Sequence, residues 1–192
     1  MTTQFQWVRE RLRANRPQRA TLTARMREAA VAVLLVPAPP ETYELLLIKR
    51  ADRAGDPWSG QIALPGGRRD GDDADLLGTA VRETAEETGV RLTSAQLLGE
   101  LDDLRPVSVH LPQLIVRPFV FGLPSRPPVI PSEEVALHVW AACDELLTNR
   151  TERTLTILGA QRRMPGYQVG AHFLWGMTER ILTPFLNLLA QG

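Results

Sequence analysis

Two apolar runs separated by a proline-rich turn most constrain the fold of this chain. The run AAVAVLLV at residues 29–36 is typical of a buried strand, and Pro37, Pro39 and Pro40 are expected to end it. The run YELLLIKR at residues 43–50 has the same character. We therefore expect the two strands to pair around the turn and to form part of a β-sheet.

The order of the remaining elements indicates the fold class. The expected strands lie at residues 61–64, 95–104, 113–123 and 134–143, and the expected helices at residues 74–88, 143–149 and 172–189. Strands mixed with helices in this order predict an α/β fold, in which helices cover a mixed sheet. The chain has no internal repeat or long linker. One domain over residues 28–192 is therefore expected.

The N-terminus predicts a separate helix. Phe5, Val8 and Leu12 follow helical spacing, with arginines between them, and Pro17 prevents continuation. This pattern predicts a helical arm over residues 1–27. The arm could dock on the domain, pair with another subunit or contact an anionic ligand, and docking is the expected arrangement.

Composition excludes several classes of protein from further consideration. Lys plus Arg and Asp plus Glu both total 22, and this balance gives no support for a nucleic-acid-coating or polybasic membrane-binding protein. The longest apolar run is too short to cross a bilayer, and a secretory signal is not expected. The single cysteine, Cys143, cannot form an internal disulfide. We expect a cytoplasmic protein with a small-molecule partner, either a monomer or a homodimer.

The segment RETAEETGV at residues 82–90 gathers acidic side chains on one helical face. Helical residues turn by about 100° each, so Glu83, Glu86 and Glu87 fall within an arc of about 100°. Like charges at this spacing repel, and the helix dipole disfavours acids near a C-terminus. Mg²⁺ or Mn²⁺ would offset this penalty, since hard cations prefer oxygen ligands. The alternative is a solvated acidic face in which Arg82 pairs with Glu86.

A glycine turn precedes this helix. Gly66 and Gly67 permit positive φ and a close approach of the backbone to a ligand or metal, and Pro65 fixes the entry to the turn. Alone, the turn could be an ordinary loop. Joined to the acidic helix, it forms a unit that can hold metal ions against a diphosphate.

The segment from Gly67 to Val90 resembles the Nudix box, G-x5-E-x7-R-E-U-x-E-E-x-G-U, where U is a bulky apolar residue. The directly matching residues are Arg82, Glu83, Glu86, Glu87, Gly89 and Val90. Asp73 stands where the pattern has Glu, eight residues rather than seven separate it from Arg82, and Thr84 replaces the bulky apolar residue. The resemblance implies a Nudix-type α/β/α sandwich with a mixed sheet.

Two further stretches resemble the coenzyme A pyrophosphatase branch of that family. PGGRRDGDD and TAVRET resemble its PGG-x-x-D-x-x-D and T-A-x-R-E. LLIKRADRAGDPWSGQIALPGG resembles its upstream motif, L-L-T-x-R-[SA]-x3-R-x3-G-x3-F-P-G-G, with Ile48 for Thr and Leu64 for Phe. The spacing from Arg50 to Gly60 is one residue longer, and Arg53 is only close to the position of the second arginine. The substrate is therefore less well defined than the reaction.

The resemblance implies a metal-dependent hydrolase of a phosphoanhydride bond, acting on coenzyme A or acyl-coenzyme A. The alternatives are hydrolysis of another nucleotide, such as a nucleoside triphosphate, a dinucleoside polyphosphate or ADP-ribose, and a non-catalytic binding module. The implied metal ligands are Glu83, Glu86, Glu87 and the backbone at Gly67. The implied catalytic residues are Glu87, Glu86, Arg82 and Glu134.

Four residues upstream of the box are candidate substrate contacts. Arg50 and Arg53 could bind phosphates, with a solvated strand end as the alternative. Trp58 could stack on adenine, although an indole that seals the core is the favoured reading. Gln61 could orient a substrate group or complete the loop. Glu134, which precedes a predicted strand, is a second candidate for the general base, with an ordinary surface acid as its alternative.

Overall fold

The computed structural model describes residues 3–23, 26–39, 42–56, 58–106, 113–157 and 159–190. The helices are α1 (Gln6–Asn15), α2 (Leu76–Thr88), α3 (Cys143–Thr148) and α4 (Met177–Ala190). The strands are β1 (Arg27–Ala38), β2 (Thr42–Arg50), β3 (Ile62–Ala63), β4 (Gly66–Arg68), β5 (Leu97–Glu100), β6 (Leu114–Gly122), β7 (Val135–Ala142), β8 (Arg150–Ile157), β9 (Ala160–Val169) and β10 (His172–Trp175).

Strand β1 lies at the centre of a mixed sheet. It runs parallel to β6 on one side and antiparallel to β2 and β4 on the other. The strand order is β3-β2-β1-β6-β5, with β7 also paired to β2. This arrangement confirms the predicted pairing of β1 with β2 and the predicted α/β class.

The apolar side chains of β1 alternate between the two faces of the sheet. Ala29, Val33 and Leu35 join a cluster that includes side chains of α1, α3 and α4, and we call this side the α4 face. Ala30 and Ala32 join a second cluster with α2, on the α2 face. Helices thus cover both faces of the sheet.

Helix α1 is docked on this core. Phe5, Val8 and Leu12 are buried. Leu12 packs against Gly99 in β5, and a Cβ added to Gly99 would lie 2.9 Å from the Cβ of Leu12. Phe5 packs in the same way against Gly122 of β6. The helix therefore forms part of the core, and the division of the chain at residue 27 stays a prediction. In the described segments, no helix has the length and apolar character needed to cross a membrane.

The structure corrects several predicted elements. Strand β1 continues through Pro37. Strand β6 pairs with β1 only as far as Leu35, so no hydrogen bond to β6 is lost because proline lacks an N–H. Pro40 lies outside the described residues. The expected final helix was wrong over residues 172–175, which pair with β9 as β10, and Gly176 at φ 75° separates this strand from α4.

Three other strands were absent from the sequence prediction. Strands β8 and β9 form a hairpin whose outer half is largely exposed, so it carries little of the apolar periodicity that marks a buried strand. Strand β4 consists of two glycines and an arginine and pairs through its backbone. Helix α2 was predicted well: Asp75 caps its start, and Gly89 ends it at φ 72°.

Thr84 is the one position where the box departs from a bulky apolar residue, and its hydroxyl is buried without a partner among the described residues. We expect Thr84→Val to raise the stability by about 1 kcal/mol, because it removes an unsatisfied polar atom with little change of shape. Thermal unfolding measures this gain. Thr88→Val is the matched control and should destabilise, since the Thr88 hydroxyl donates to the Thr84 carbonyl at 2.6 Å. A loss of stability in Thr84→Val would contradict the prediction.

Candidate active site

A pocket of about 510 Å³ lies on the α4 face of the sheet. Its polar residues are Arg50, Arg53, Asp56, Gln61, Arg68, Glu83, Glu87, Glu134 and Thr178. Its apolar residues include Ala29, Val31, Trp58, Ile62, Leu64, Leu114, Val116, Met177 and Ile181. The pocket therefore joins acidic and basic groups to an apolar floor.

Backbone geometry explains how carboxylates of α2 come to line a pocket on the α4 face. Strand β1 changes partner, from β4 over residues 29–31 to β2 over residues 35–38. At the change, the Ala32 N–H donates to the Pro65 carbonyl at 2.8 Å. Strand β4 pairs only with β1 among the described strands, so the sheet ends there and leaves room for side chains from α2.

A side chain is excluded at each of the two glycines of β4, but for different reasons. Gly66 has φ 148°, and a Cβ there would lie 2.3 Å from the Ala30 carbonyl oxygen. The expected positive φ is therefore correct for Gly66 and wrong for Gly67. At Gly67 the reason is contact: a Cβ would lie 2.4 Å from the carboxylate carbon of Glu83. The missing side chain lets this carboxylate rest directly on the backbone.

Glu87 is the most buried of the three box carboxylates. Its side chain is 3% exposed, accepts a hydrogen bond from the Gly66 N–H at 2.8 Å and lies 3.7 Å from an Arg50 nitrogen. Burial raises the pKa of Glu87 to about 7, against the opposing effect of that hydrogen bond. Burial also raises the pKa of Glu83. Burial thus has a larger effect on these two carboxylates than Arg82 near Glu83 and Arg50 near Glu87.

Arg82 links the box carboxylates without lining the pocket. Its Nη1 donates to Glu83 and to Glu86, at 2.9 Å each. The Glu86 side chain is 58% exposed and is likewise not among the pocket-lining residues. The pairing of Arg82 with Glu86 expected from the helical spacing is therefore present, while Glu83 and Glu87 lie in the pocket.

Asp73 holds Arg82 in place, a role that the sequence did not reveal. Its two carboxylate oxygens accept from Nε and Nη2 of Arg82 at 2.9 and 2.8 Å. The Thr79 hydroxyl and the Asp70 N–H also donate to it. Hydrogen bonding to Arg82 holds the pKa of Asp73 far below its usual range. The signal in the sequence was its position in the box, where the family pattern has Glu.

The upstream arginines reach the same pocket but already have carboxylate partners. Arg50 donates twice to Asp56, at 3.2 and 2.8 Å, and so is more than a solvated strand end. Arg53 donates to Glu134 at 3.1 Å, and both side chains are about half exposed. Glu134 lies close enough to the buried acids that its charge contributes to the raised pKa of Glu87.

Trp58 and Gln61 complete this side of the pocket. Trp58 is half-buried, packs against the core of the α4 face and also lines the pocket. It therefore packs on the core and also faces the pocket. The carbonyl of Gln61 accepts from the Arg50 N–H at 3.0 Å, which ties the loop to the end of β2.

Comparison with known proteins assigns the chain to a family. The NUDIX domain family matches residues 26–158. The chain belongs to the Nudix family. It is 33% identical over 163 residues to a protein of Yersinia pestis (strain Pestoides F) named "Uncharacterized Nudix hydrolase NudL", which covers 83% of this chain and 78% of that relative. Membership and this similarity identify the chain as a Nudix pyrophosphohydrolase.

Solved Nudix structures share its fold. A MutT/nudix family protein from Enterococcus faecalis matches 98% of this chain and 72% of its own, with a TM-score of 0.59 and 19% identity. The NUDIX domain of Shewanella oneidensis NrtR, complexed with ADP ribose, matches 66% of this chain and 79% of its own, with a TM-score of 0.52 and 22% identity. These matches confirm the predicted Nudix-type fold.

Nudix hydrolases generally use divalent metal ions, and the donors of this site fit such an ion chemically. Across the described residues, no three His, Cys, Asp or Glu side chains are yet arranged to hold one. The carboxylates instead bind Arg82 and the backbone of the glycine loop. Carboxylate oxygens are the ligands that Mg²⁺ and Mn²⁺ prefer, and Glu83 and Glu87 bring two carboxylates into one pocket.

The contact between Gly67 and Glu83 predicts the effect of adding one methyl group. We expect Gly67→Ala to lower kcat/KM at least about tenfold, because the Cβ would displace the Glu83 carboxylate and small displacements at a catalytic site are costly. Steady-state kinetics and thermal unfolding measure the two effects separately. Gly71→Ala is the control in the same loop, since a Cβ there meets nothing within 4 Å. Equal kinetics for both variants would contradict this role of Gly67.

The clamp between Asp73 and Arg82 predicts an effect on turnover. We expect Asp73→Asn to lower kcat about tenfold, because an amide cannot accept both charge-assisted hydrogen bonds and Arg82 would hold the box carboxylates less firmly. Asp72→Asn is the control, since that neighbour is exposed. A change in KM with kcat unaltered would argue against positioning and for a direct substrate contact.

Proposed function

We propose that this Nudix hydrolase cleaves the diphosphate of coenzyme A or an acyl-coenzyme A with Mg²⁺ or Mn²⁺. The observation that carries the assignment is the apolar floor beside the carboxylates. Leu114 and Val116 of β6 and Ile181 of α4 form part of this floor. An aliphatic arm such as pantetheine buries well against it, whereas the sugar of ADP-ribose would leave its hydroxyl groups without partners.

The form of the box supports the same branch. The extra residue between Asp73 and Arg82 is accommodated without breaking the clamp, because Asp73 still meets Arg82 with both carboxylate oxygens. The second Asp of the PGG-x-x-D-x-x-D pattern, which is Asp73 here, thus has a defined contact in the structure. The presence of Glu83, Glu86, Glu87 and Arg82 argues against a non-catalytic module.

In the proposed mechanism, Glu83, Glu86, Glu87 and the backbone at Gly67 would hold the cations. When bound, these ions neutralise the diphosphate and activate the attacking water. Glu87 or Glu134 accepts the proton of that water as its oxygen bonds to phosphorus. The bond from this phosphorus to the bridging oxygen breaks, which yields 3′,5′-ADP and 4′-phosphopantetheine from coenzyme A.

The other polar residues bind and orient in this proposal. Arg82 positions the carboxylates from outside the pocket, and Asp73 positions Arg82. Arg50 and Arg53 attract the phosphates through their free donors, while Trp58 and Gln61 contact the organic part of the substrate. We further propose a cytoplasmic monomer or homodimer that acts on a small nucleotide, without nucleic acid or membrane as partner.

A substrate panel tests the assignment. Coenzyme A, an acyl-coenzyme A, ADP-ribose, a dinucleoside polyphosphate and a nucleoside triphosphate are incubated separately with the protein and Mg²⁺ or Mn²⁺, and the products are separated by chromatography. We expect 3′,5′-ADP from both coenzyme A substrates at the highest kcat/KM of the panel. Preferred hydrolysis of another nucleotide would overturn the substrate assignment and leave the reaction class intact.

A further inference from the structure

The proposed mechanism assigns no role to two arginines at the rim of the pocket, Arg27 and Arg68. Arg68 lines the catalytic pocket and also a neighbouring depression of about 470 Å³, which Arg27 lines as well. Both side chains are exposed, and neither has a hydrogen-bond or ion-pair partner among the described residues. This distinguishes them from Arg50, Arg53 and Arg82, which all bind carboxylates.

Strand register directs the side chains of Arg27 and Arg68 to the same side of the sheet as the pocket. Arg68 is directly opposite Ala29, whose side chain lines the pocket, so both point to the same face. Arg27 precedes Ala29 by two residues and therefore shares that face. Arg27 and Arg68 are diagonal neighbours across an antiparallel pair, with Cα atoms about 7–8 Å apart. Two long side chains at this separation can reach one anion.

The acidic groups nearby do not neutralise this pair. Glu28 and Arg69 also line the depression, where they bind each other at 3.0 Å. Asp70 lines the same depression, and its carboxylate accepts the Asp72 N–H at 3.2 Å. The depression thus carries three arginines and two carboxylates, and its rim keeps a net positive charge.

We propose that Arg27 and Arg68 form an anion subsite that binds a phosphate of the substrate outside the scissile diphosphate. Arginine suits this task because its planar donors match phosphate oxygens in pairs. The inference rests on the proposed function for the identity of the group, which in coenzyme A is the 3′-phosphate. It also accounts for the missing second arginine of the upstream motif, since cations from β1 and β4 supply the charge.

A pair of substrates that differ in one phosphate tests the subsite. We expect wild-type protein to prefer coenzyme A over dephospho-coenzyme A at least about tenfold in kcat/KM, as for a hydrogen-bonded charge pair. Arg27→Gln and Arg68→Gln should each bring this ratio closer to one. Arg91→Gln is the control: Arg91 is exposed and lines neither the pocket nor the depression, so its replacement should leave the ratio unchanged.

Two results would overturn the subsite. One is a wild-type preference that survives in both variants; the other is a preference lost only in Arg53→Gln, which would place the phosphate beside Glu134. If wild-type protein hydrolyses neither compound, the proposed substrate is wrong. Calorimetry with 3′,5′-ADP and 5′-ADP then decides. Tighter binding of 3′,5′-ADP that is lost in Arg68→Gln would support the subsite, and equal binding of both would refute it.

Discussion

Replacement of Glu87 by glutamine is expected to lower kcat at least about a hundredfold, whether Glu87 holds a cation or accepts the proton of the attacking water. Glutamine has nearly the same shape and can still accept the Gly66 N–H, so the fold should survive the change. Steady-state kinetics across a titration of Mg²⁺ and Mn²⁺ measures the loss. A weaker apparent metal affinity would identify Glu87 as a ligand, and an unchanged affinity would favour the role of base.

Glu133→Gln is the control for this variant, since Glu133 is an exposed acid of the loop before β7. Its kcat should remain that of the wild type. Unchanged turnover in a folded Glu87→Gln protein would remove Glu87 from the mechanism and leave Glu134 as the remaining candidate for the base.

Replacement of Asp103 by asparagine is expected to cost about 3 kcal/mol of stability, because breaking a buried ion pair leaves a cation without its partner. The Asp103 side chain is 1% exposed and accepts from Nε and Nη2 of Arg117 at 2.8 and 3.0 Å. It also accepts the Ala20 N–H at 3.0 Å. Thermal unfolding should show a Tm lower by roughly 10 °C for a chain of this length. Asp102→Asn, in an exposed neighbour, should change the Tm far less.

The same pair predicts a dependence on pH. Burial alone would raise the pKa of Asp103, but the hydrogen bonds from Arg117 and Ala20 and the charges of Arg117 and Arg19 together hold it below its usual range. A lowered pKa contributes stability that is fully present above the ordinary value of about 4 and is lost as the pH falls through the lowered value. The stability difference between wild type and Asp103→Asn should therefore shrink in acid. A constant difference down to the acid unfolding of the wild type would show that packing, and not charge, stabilises this contact.

The sequence predicted those parts of the fold that depend on local periodicity. Strands β1 and β2 are continuous apolar runs, and α2 carries both its cap and its terminal glycine in the sequence. Strands β8 and β9 gave no such signal because most of their side chains are exposed. Strand β10 resembled the start of α4, since Phe173 and Leu174 also suit a helix and only the pairing with β9 decides between the two.

The site was predicted to a similar extent. Spacing along one helix was enough to bring Glu83 and Glu87 together. The remaining candidates were proposed by resemblance, because no local pattern indicates that Arg50, Glu134 and Trp58 share one pocket. The roles of Asp73 and Asp56 were missed because both depend on a contact with an arginine elsewhere in the chain, which no local pattern reports.

The packing of α1 against the sheet has a consequence for truncated forms of this protein. The family match begins at residue 26, yet Phe5 and Leu12 fill hollows above Gly122 and Gly99. A protein trimmed to the matched segment would expose these hollows as an apolar patch and would tend to self-associate. An N-terminal purification tag is therefore best joined through a flexible linker, so that Phe5 can still pack against Gly122.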